Sequence, residues 1–402
     1  MFQKLFKRFI RRRHYWREVS FDELTELYTS MMFRSLAIGL VGIFIPIYLY
    51  QHGSPVWEIL FFYMTVYTAH VIFSIVSAFV IARIGPKHTI LLSYVFLAIS
   101  MIGLISLYRL NLPLYTIAIS FGIANALFFT AFHTDFSKIK HTEHGGKEVG
   151  WMYIMQKVGT IIGPILGGII AYFFGSQYIF MVALGMLCVG ILPLLFTAEP
   201  VKTKQKLDFR HLTVKSIKFD LISYSAFSLE TSITMVVWPL FIGVLVFRDN
   251  PYIQLGSVAS ISIIASLLIA RAIGGLIDNR QGRQLLRFGA ILNAVLHLFR
   301  PFTGGYSSAL AVNIANEGVT IAYTMPYTKG LYDAADDHPG HRIVYICTLE
   351  TAGAATRVLF YGLASMAAMF YDDGRGLFFG LFAVGALASL VIMKERFRAL
   401  DV

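Results

Sequence analysis

The chain has 402 residues, 56% of them hydrophobic and only 14% charged, where an ordinary soluble domain carries about 25% charge. That balance excludes a water-soluble enzyme, and twelve spans of about 22 residues would leave room for short loops and tails only. The formal net charge of +11 raises nucleic acid as a partner, but in a polytopic protein Lys and Arg collect on the cytoplasmic side of the bilayer.

The first seventeen residues hold Lys4, Lys7, Arg8, Arg11, Arg12, Arg13 and Arg17 without a long apolar run, so they do not form a cleavable signal peptide. Residues 1–28 read as a basic amphipathic segment on an anionic inner leaflet. Apolar stretches then place spans at 29–51, 57–81, 88–108, 113–133, 149–173, 177–197, 219–247, 252–275, 285–303, 306–329, 343–370 and 376–393. An even number puts both termini in the cytoplasm of a cell with this chain in its plasma (inner) membrane. On that topology only Arg109, Arg248 and Arg375 of the 34 Lys and Arg lie outside, and Arg34, Lys157, Arg271, Arg300 and Arg357 lie within spans. The asymmetry supports the orientation and removes nucleic acid as a partner. Cys188 and Cys347 sit in apolar runs, where packing is expected rather than a disulfide or a metal cluster.

The polar stretch 198–218 divides the spans into bundles at 29–197 and 219–393, with a tail at 394–402. Landmarks recur between the halves. Pro46 pairs with Pro239 at an offset of 193, FTAFHTD (129–135) with YTMPYTK (323–329) and Gly159 with Gly353 at 194, and Arg83-Ile84-Gly85 with Arg280-Gln281-Gly282 at 197. Parallel repeats of this kind place a site at the half interface near the bilayer midplane and imply rocking between access states.

With these features the chain resembles the major facilitator superfamily of secondary transporters over essentially its whole length. The family signature Gly-x-Leu-x-Asp-Arg-x-Gly-Arg has its second copy in Gly274-Gly275-Leu276-Ile277-Asp278-Asn279-Arg280-Gln281-Gly282-Arg283, with one residue inserted. The first copy, over Ala78–Lys87, keeps Arg83 and Gly85 but has Ala82 where the acid belongs. The resemblance implies a gate built on these residues, with Asp278 as its one latch carboxylate. In the fifth span Gly150, Gly159, Gly163, Pro164, Gly167 and Gly168 fit Gly-x8-Gly-x3-Gly-Pro-x2-Gly-Gly, similar to the antiporter motif of the drug and metabolite exporters. Small residues four apart equally serve close helix packing. The fourth span lacks the Arg that proton-coupled exporters carry there. The resemblance thus implies an all-α, twelve-span, two-bundle transporter with a pseudo-twofold axis along the membrane normal, expected to act as a monomer on a small molecule.

Six ionisable groups fall deep in spans: His70, Lys157, Glu230, His297, Glu317 and Arg357. A charge at the midplane costs about 2.5–3.5 kcal/mol on insertion scales and therefore faces a cavity or a partner. Glu230 and Glu317 are on spans seven and ten, which by resemblance line the central cavity, and they are the candidates for carrying the coupling proton. Arg357 and Lys157 are the expected counter-ions or anchors for an anionic solute group. Asn125, Asn313, Asn316, Gln156, Tyr67 and Trp238 complete the expected pocket. His70 and His297 read as core histidines, and His133, His141 and His144 as parts of a solvated loop. No cofactor is expected, and no span carries Gly-x-Ser-x-Gly, His-Glu-x-x-His or another enzyme motif. The expected function is export of an amphipathic compound coupled to protons. The alternative is proton-coupled uptake of a polar solute such as a sugar or organic anion, and the remoter one is a receptor-like homologue that does not transport.

Overall fold

The structure, a computed structural model, describes residues 21–139, 145–195, 206–209, 214–277, 282–338, 341–371, 374–397 and 400. Among the described residues twelve main helices follow in order: α1 (Phe21–Val41, resuming at Ile45–Gln51), α2 (Val56–Ile84), α3 (Pro86–Ser106), α4 (Leu114–Ile139), α5 (Gly145–Phe173) and α6 (Gln177–Ile191). The second set is α7 (Lys218–Val246), α8 (Pro251–Ile277), α9 (Gly282–Phe299), α10 (Tyr306–Asp336), α11 (Arg342–Phe370) and α12 (Arg375–Ile392). No strand occurs among the described residues. Among the described residues ten helices are long and apolar enough to cross a membrane, and α8 is apolar over the shorter stretch Pro251–Ala265. The exception, α10, carries Asn313, Asn316, Glu317 and Lys329 along its length, and three of these side chains are bonded inside the protein. Leu359 and Leu363, each 68% exposed, mark the outer face of α11 as the side turned to lipid.

Helix packing repeats. In the first set α1 packs on α5 and α6, α2 on α4, and α3 on α4 and α6; in the second, α7 packs on α11 and α12, α8 on α10, and α9 on α10 and α12. Between the sets α2 runs along α11 and α5 along α8. Adding six to each helix number reproduces every pair, which is the signature of two bundles related by a pseudo-twofold axis.

The paired prolines mark equivalent breaks. A proline has no N–H and collides with the carbonyl four residues earlier. Accordingly α1 opens at residues 42–44 just before Pro46, and α7 loosens into π-turns at Ile233–Val237 and Ile242–Val246 on either side of Trp238–Phe241, which contains Pro239. At the start of α3 the chain turns through Gly85, whose φ of +92° favours glycine, into Pro86 at the first helical position.

The glycines of α5 explain how it seats between α1 and α8. A Cβ on Gly159 would lie 2.5 Å from the Leu36 nitrogen, on Gly163 2.6 Å from the carbonyl carbon of Gly39, and on Gly167 2.6 Å from the Leu40 oxygen. On the next face Gly168 would meet the Tyr252 oxygen at 2.8 Å, and a Cβ on Gly256 of α8 would meet the Pro164 oxygen at 2.5 Å. These backbones touch because the residues are small, which is how helices associate where lipid removes the hydrophobic driving force. The surroundings of Gly150 lie outside the described residues.

Two boundaries differ from expectation. α1 begins at Phe21 rather than 29, its polar first turns being tied down where Lys87 Nζ of α3 donates 3.1 Å to Glu26. α4 continues through the segment expected to be a solvated loop, so His133 is helical and faces protein. Most of the basic segment and of the 198–218 linker lies outside the described residues, as do residues 398, 399, 401 and 402 of the tail, His141 and His144.

Candidate functional site

Glu230, about 18 Å along α7 from its first residue, is wholly enclosed by its own bundle. Oε1 accepts from Asn293 Nδ2 of α9 at 2.8 Å and from Thr234 Oγ1 at 2.8 Å, Oε2 accepts from the Tyr323 hydroxyl of α10 at 2.5 Å, and His297 Nε2 lies 3.3 Å away. Beneath it Arg300 reaches Thr234 Oγ1 (3.1 Å), His297 Nδ1 (3.0 Å) and Asn316 Oδ1 (2.5 Å), and its guanidinium stands 5.2 Å from the Trp238 ring. The cluster ties α7, α9 and α10 together, and Asn293 also donates to Ser389 of α12 at 3.0 Å. The expected counter-ion Arg357 is elsewhere: helix rotation, invisible in the sequence, turns Glu230 toward α9 and α10 instead of α11. His297 is accordingly a bonded member of the network.

A second set of groups lies on the seam between the bundles. Lys157 of α5 and Glu317 of α10 form an ion pair at 2.6 Å, with side chains 21% and 13% exposed. On the other side, Glu350 of α11 accepts a short hydrogen bond from the Tyr224 hydroxyl of α7. The same carboxylate faces the first bundle: His70 Nε2 of α2 is 3.4 Å from Oε2 and His133 Nε2 of α4 is 3.5 Å from Oε1. His133 Nδ1 and the Tyr332 hydroxyl of α10 are 2.7 Å apart. A narrow crevice is lined by His133, Tyr224, Tyr332 and Glu350. Arg357, two turns along α11, donates from Nε to the Ser228 carbonyl at 2.8 Å and lies 4.9 Å from the Tyr67 ring. Tyr67 in turn stacks on Tyr361 with ring centres 5.6 Å apart.

The halves are joined toward both ends of the bundle. Near the face where α1 begins, the thiol of Cys347 donates to the Ser74 carbonyl at 3.3 Å. Toward the opposite face Ser365 donates to the Trp57 carbonyl at 2.8 Å, and Ser260 to that of Ile161 at 2.9 Å. The α2–α11 seam is therefore joined toward both of its ends.

Of the remaining expected residues, Trp238 Nε1 donates to Asn313 Oδ1 at 2.8 Å, and Asn125 Oδ1 accepts from Arg34 at 3.3 Å. Gln156 is half-buried beside Lys157. At the gate signatures, Arg83 is exposed and Gly282 opens α9. Arg283 pairs with Glu395 beyond α12 (3.1 Å) and donates to the Phe397 carbonyl (2.8 Å), within its own bundle. Asp278 and Arg280 lie outside the described residues. Sequence reasoning missed Tyr224, Asn293 and Tyr323, and it gave Arg34, Arg300, His133 and Glu350 no partners. Both arginines carried a usable signal, since each is a permanent charge inside an apolar run.

A family model described as Major Facilitator Superfamily matches residues 27–342. A comparison with curated protein sequences finds no match. Among similar solved structures, the E. coli fucose:proton symporter FucP is 13% identical, with TM-score 0.64 over 93% of this chain and 98% of that one. The nucleoside transporter NupG is 12% identical, with TM-score 0.65 over 92% and 98%. The human organic anion transporter MFSD10 is 11% identical, with TM-score 0.68 over 92% and 98%. At these identities the likeness is one of fold.

Proposed function

The chain belongs to the Major Facilitator Superfamily, and from that premise we propose that it is a secondary active transporter moving a small amphipathic solute by alternating access, coupled to protons. The observation that carries the reading is Glu350, a buried carboxylate of one bundle set against His70 and His133 of the other. When the bundles part on that side these contacts must break, so the protonation of the group and the opening of the gate are linked. Lys157–Glu317, the other ion pair across the seam among the described residues, is the second contact that rocking would remake. Glu230 has partners from its own bundle only, and its role is to fix α7 against α9 and α10. The face where α1 begins is cytoplasmic on the charge asymmetry, and each chain holds a whole site, so one copy suffices.

The glycine pattern of α5 is accounted for by packing and carries no information about direction. Export by antiport and uptake by symport use the same site and differ in the sign of coupled flux. A neutral polar solute such as a sugar is the second reading, favoured by the amides Asn313 and Gln156 near the Lys157–Glu317 pair.

The test uses proteoliposomes containing a trapped pH dye, to which inward gradients of sugars, nucleosides and organic acids are applied in turn. Coupled transport moves luminal pH with one of them, reversing the imposed pH gradient reverses the driven flux, and Glu350→Gln uncouples the two. Solute flux in Glu350→Gln that still follows the pH gradient at the wild-type rate overturns the assignment of the coupling group.

A further inference from the structure

Glu350 stands between two histidines whose surroundings differ. His70 lies about 21 Å from either end of α2, at the middle of its span, with a side chain 1% exposed. Its Nε2 faces Oε2 of Glu350 at 3.4 Å, neither ring nitrogen makes a hydrogen bond, and the ring is flanked by those of Tyr67 and Phe129. His133 faces the other oxygen, Oε1, at 3.5 Å, but its side chain is 20% exposed and its Nδ1 shares a 2.7 Å hydrogen bond with the Tyr332 hydroxyl. One histidine is sealed in, and the other is open on one side.

The opening belongs to one side of the membrane. His133, Tyr224, Tyr332 and Glu350 line the crevice together with three aliphatic side chains of α10 and α11. All four lie within about two turns of helix ends at the face where α1 begins: His133 near the end of α4, Tyr332 near the end of α10, and Tyr224 and Glu350 near the starts of α7 and α11. The space inside is about 10 Å³, about that of one water, and the four polar side chains are as many partners as a buried water uses. Proton transfer needs a hydrogen bond or one bridging water, and a water in this space spans the 3.5 Å between Oε1 and Nε2. The ionisable groups around the carboxylate are His70 on α2, His133 on α4, Tyr224 on α7 and Cys347 on its own helix, with Arg357 two turns away and engaged with the Ser228 carbonyl. Of these residue types only histidine takes up and releases a proton readily near neutral pH, and of the two histidines His133 is the one with an outlet.

We infer that His133 is the relay through which Glu350 exchanges its proton with the cytoplasmic face while the α2–α11 seam is still joined, with Tyr332 fixing the tautomer of the imidazole. This rests on the reading of Glu350 as the coupling group and supplies the route of its proton. With Nδ1–H donated to the Tyr332 oxygen, Nε2 is left as a base facing Glu350. The O–H bond of the protonated carboxyl breaks as the bridging water takes that proton and passes one of its own to Nε2, leaving a carboxylate and an imidazolium. The imidazolium then gives one proton to solvent on its open side, so the net change is one proton moved from Glu350 to the cytoplasmic face. Uptake runs the same steps in reverse. The proton is thus exchanged on one side before the bundles part there, and His70, shut in at mid-span, contacts the carboxylate without offering a way out.

The full chain in detergent is given a light-triggered proton jump from a caged acid, and protonation of Glu350 is followed by its carboxylic C=O infrared band, identified as the band that Glu350→Gln removes. His133→Ala is expected to slow the rise of that band about 100-fold, the low end of what a positioned proton carrier supplies, with the final amplitude kept. Free imidazole added to the buffer restores most of the rate, which it would not do if His133 served packing alone. Tyr332→Phe, which keeps the ring, slows the band less. If His133→Ala does not unfold cooperatively, His133→Gln carries the comparison of rates. A rate within twofold of the parent in the His133 variant, slowing that imidazole leaves unrelieved, or a larger slowing in His70→Ala overturns the inference and leaves Glu350 as the coupling group. If Glu350→Gln removes no band at any pH where the chain stays folded, Glu350 does not titrate, and the coupling assignment falls together with the relay.

Discussion

Replacing Glu350 by Gln keeps the shape of the side chain and its hydrogen bond from Tyr224 but removes the charge that faces His70 and His133. Those two contacts, at 3.4 and 3.5 Å, join the bundles on the side where α11 begins. Polar contacts inside membrane proteins are worth about 0.6 kcal/mol on average and up to about 1.7. Taking about 1 kcal/mol for each gives about 2 kcal/mol, a shift of about 30-fold toward separation of the bundles there. The chain supplies its own reporter. Cys347, one turn from Glu350, is buried with its thiol against the Ser74 carbonyl of α2, whereas Cys188 is exposed on α6. In a Cys188→Ser background, alkylation of Cys347 by N-ethylmaleimide therefore measures opening of the α2–α11 seam. The rate should rise by about 10- to 30-fold in Glu350→Gln while Tm changes little. A rate within twofold of the parent, in a protein that still unfolds cooperatively, refutes the idea that these contacts hold the seam shut.

Lys157→Gln and Glu317→Gln should each abolish solute-coupled flux, and the exchanged pair Lys157→Glu/Glu317→Lys should restore part of it, as read by luminal pH in proteoliposomes. Because both side chains are partly exposed, the loss of thermal stability in either single variant should stay near 1–2 kcal/mol rather than the 3–5 of a fully buried pair. Gly163→Val should prevent folding, judged by loss of a monodisperse peak, since its Cβ would stand 2.6 Å from the Gly39 backbone; Gly185→Ala, with open space around it, should be silent. Arg300→Met strips three partners of a buried cation and should cost about 3 kcal/mol in unfolding measurements, with Cys347 as protected as in the parent.

Much of this architecture is legible without coordinates because the bilayer leaves few choices: backbone polar groups must be satisfied internally, so apolar stretches of spanning length become helices. Pro46 and Pro239 announced equivalent breaks for the same reason, as missing N–H groups with fixed positions. Depth was legible too, and it found Lys157 and Glu317 as groups that need partners. What stayed hidden was rotation about each helix axis, on which every side-chain pairing depends. At the same depth, Glu230 turned into its own bundle while Glu317 turned to the seam, and nothing in the neighbouring residues separates those outcomes. His133 was hidden by a different cause: the hydropathy of its segment falls because α4 emerges there from lipid contact into protein contact, which looks in sequence like emergence into water.

The repeat also separates scaffold from chemistry. Gly159 seats on α1 beside Ser35, and Gly353 seats on α7 beside Ser228; both pairs are related by an offset of 193 or 194. The charged groups set deep in the helices do not repeat. At the same offsets Arg34 corresponds to Phe227, Glu230 to Ala37, Glu317 to Ile123 and Glu350 to Gln156. Helix crossings demand small residues wherever backbones touch, and two bundles of one shape touch in the same places. A bound solute imposes no such symmetry. An ordinary organic molecule has one polar end and one apolar end, so residues answering to it are free to differ between the halves. The positions where the two halves disagree in charge are therefore the positions to examine first for solute and proton, and Arg34 and Glu350 stand among them on opposite sides of the seam.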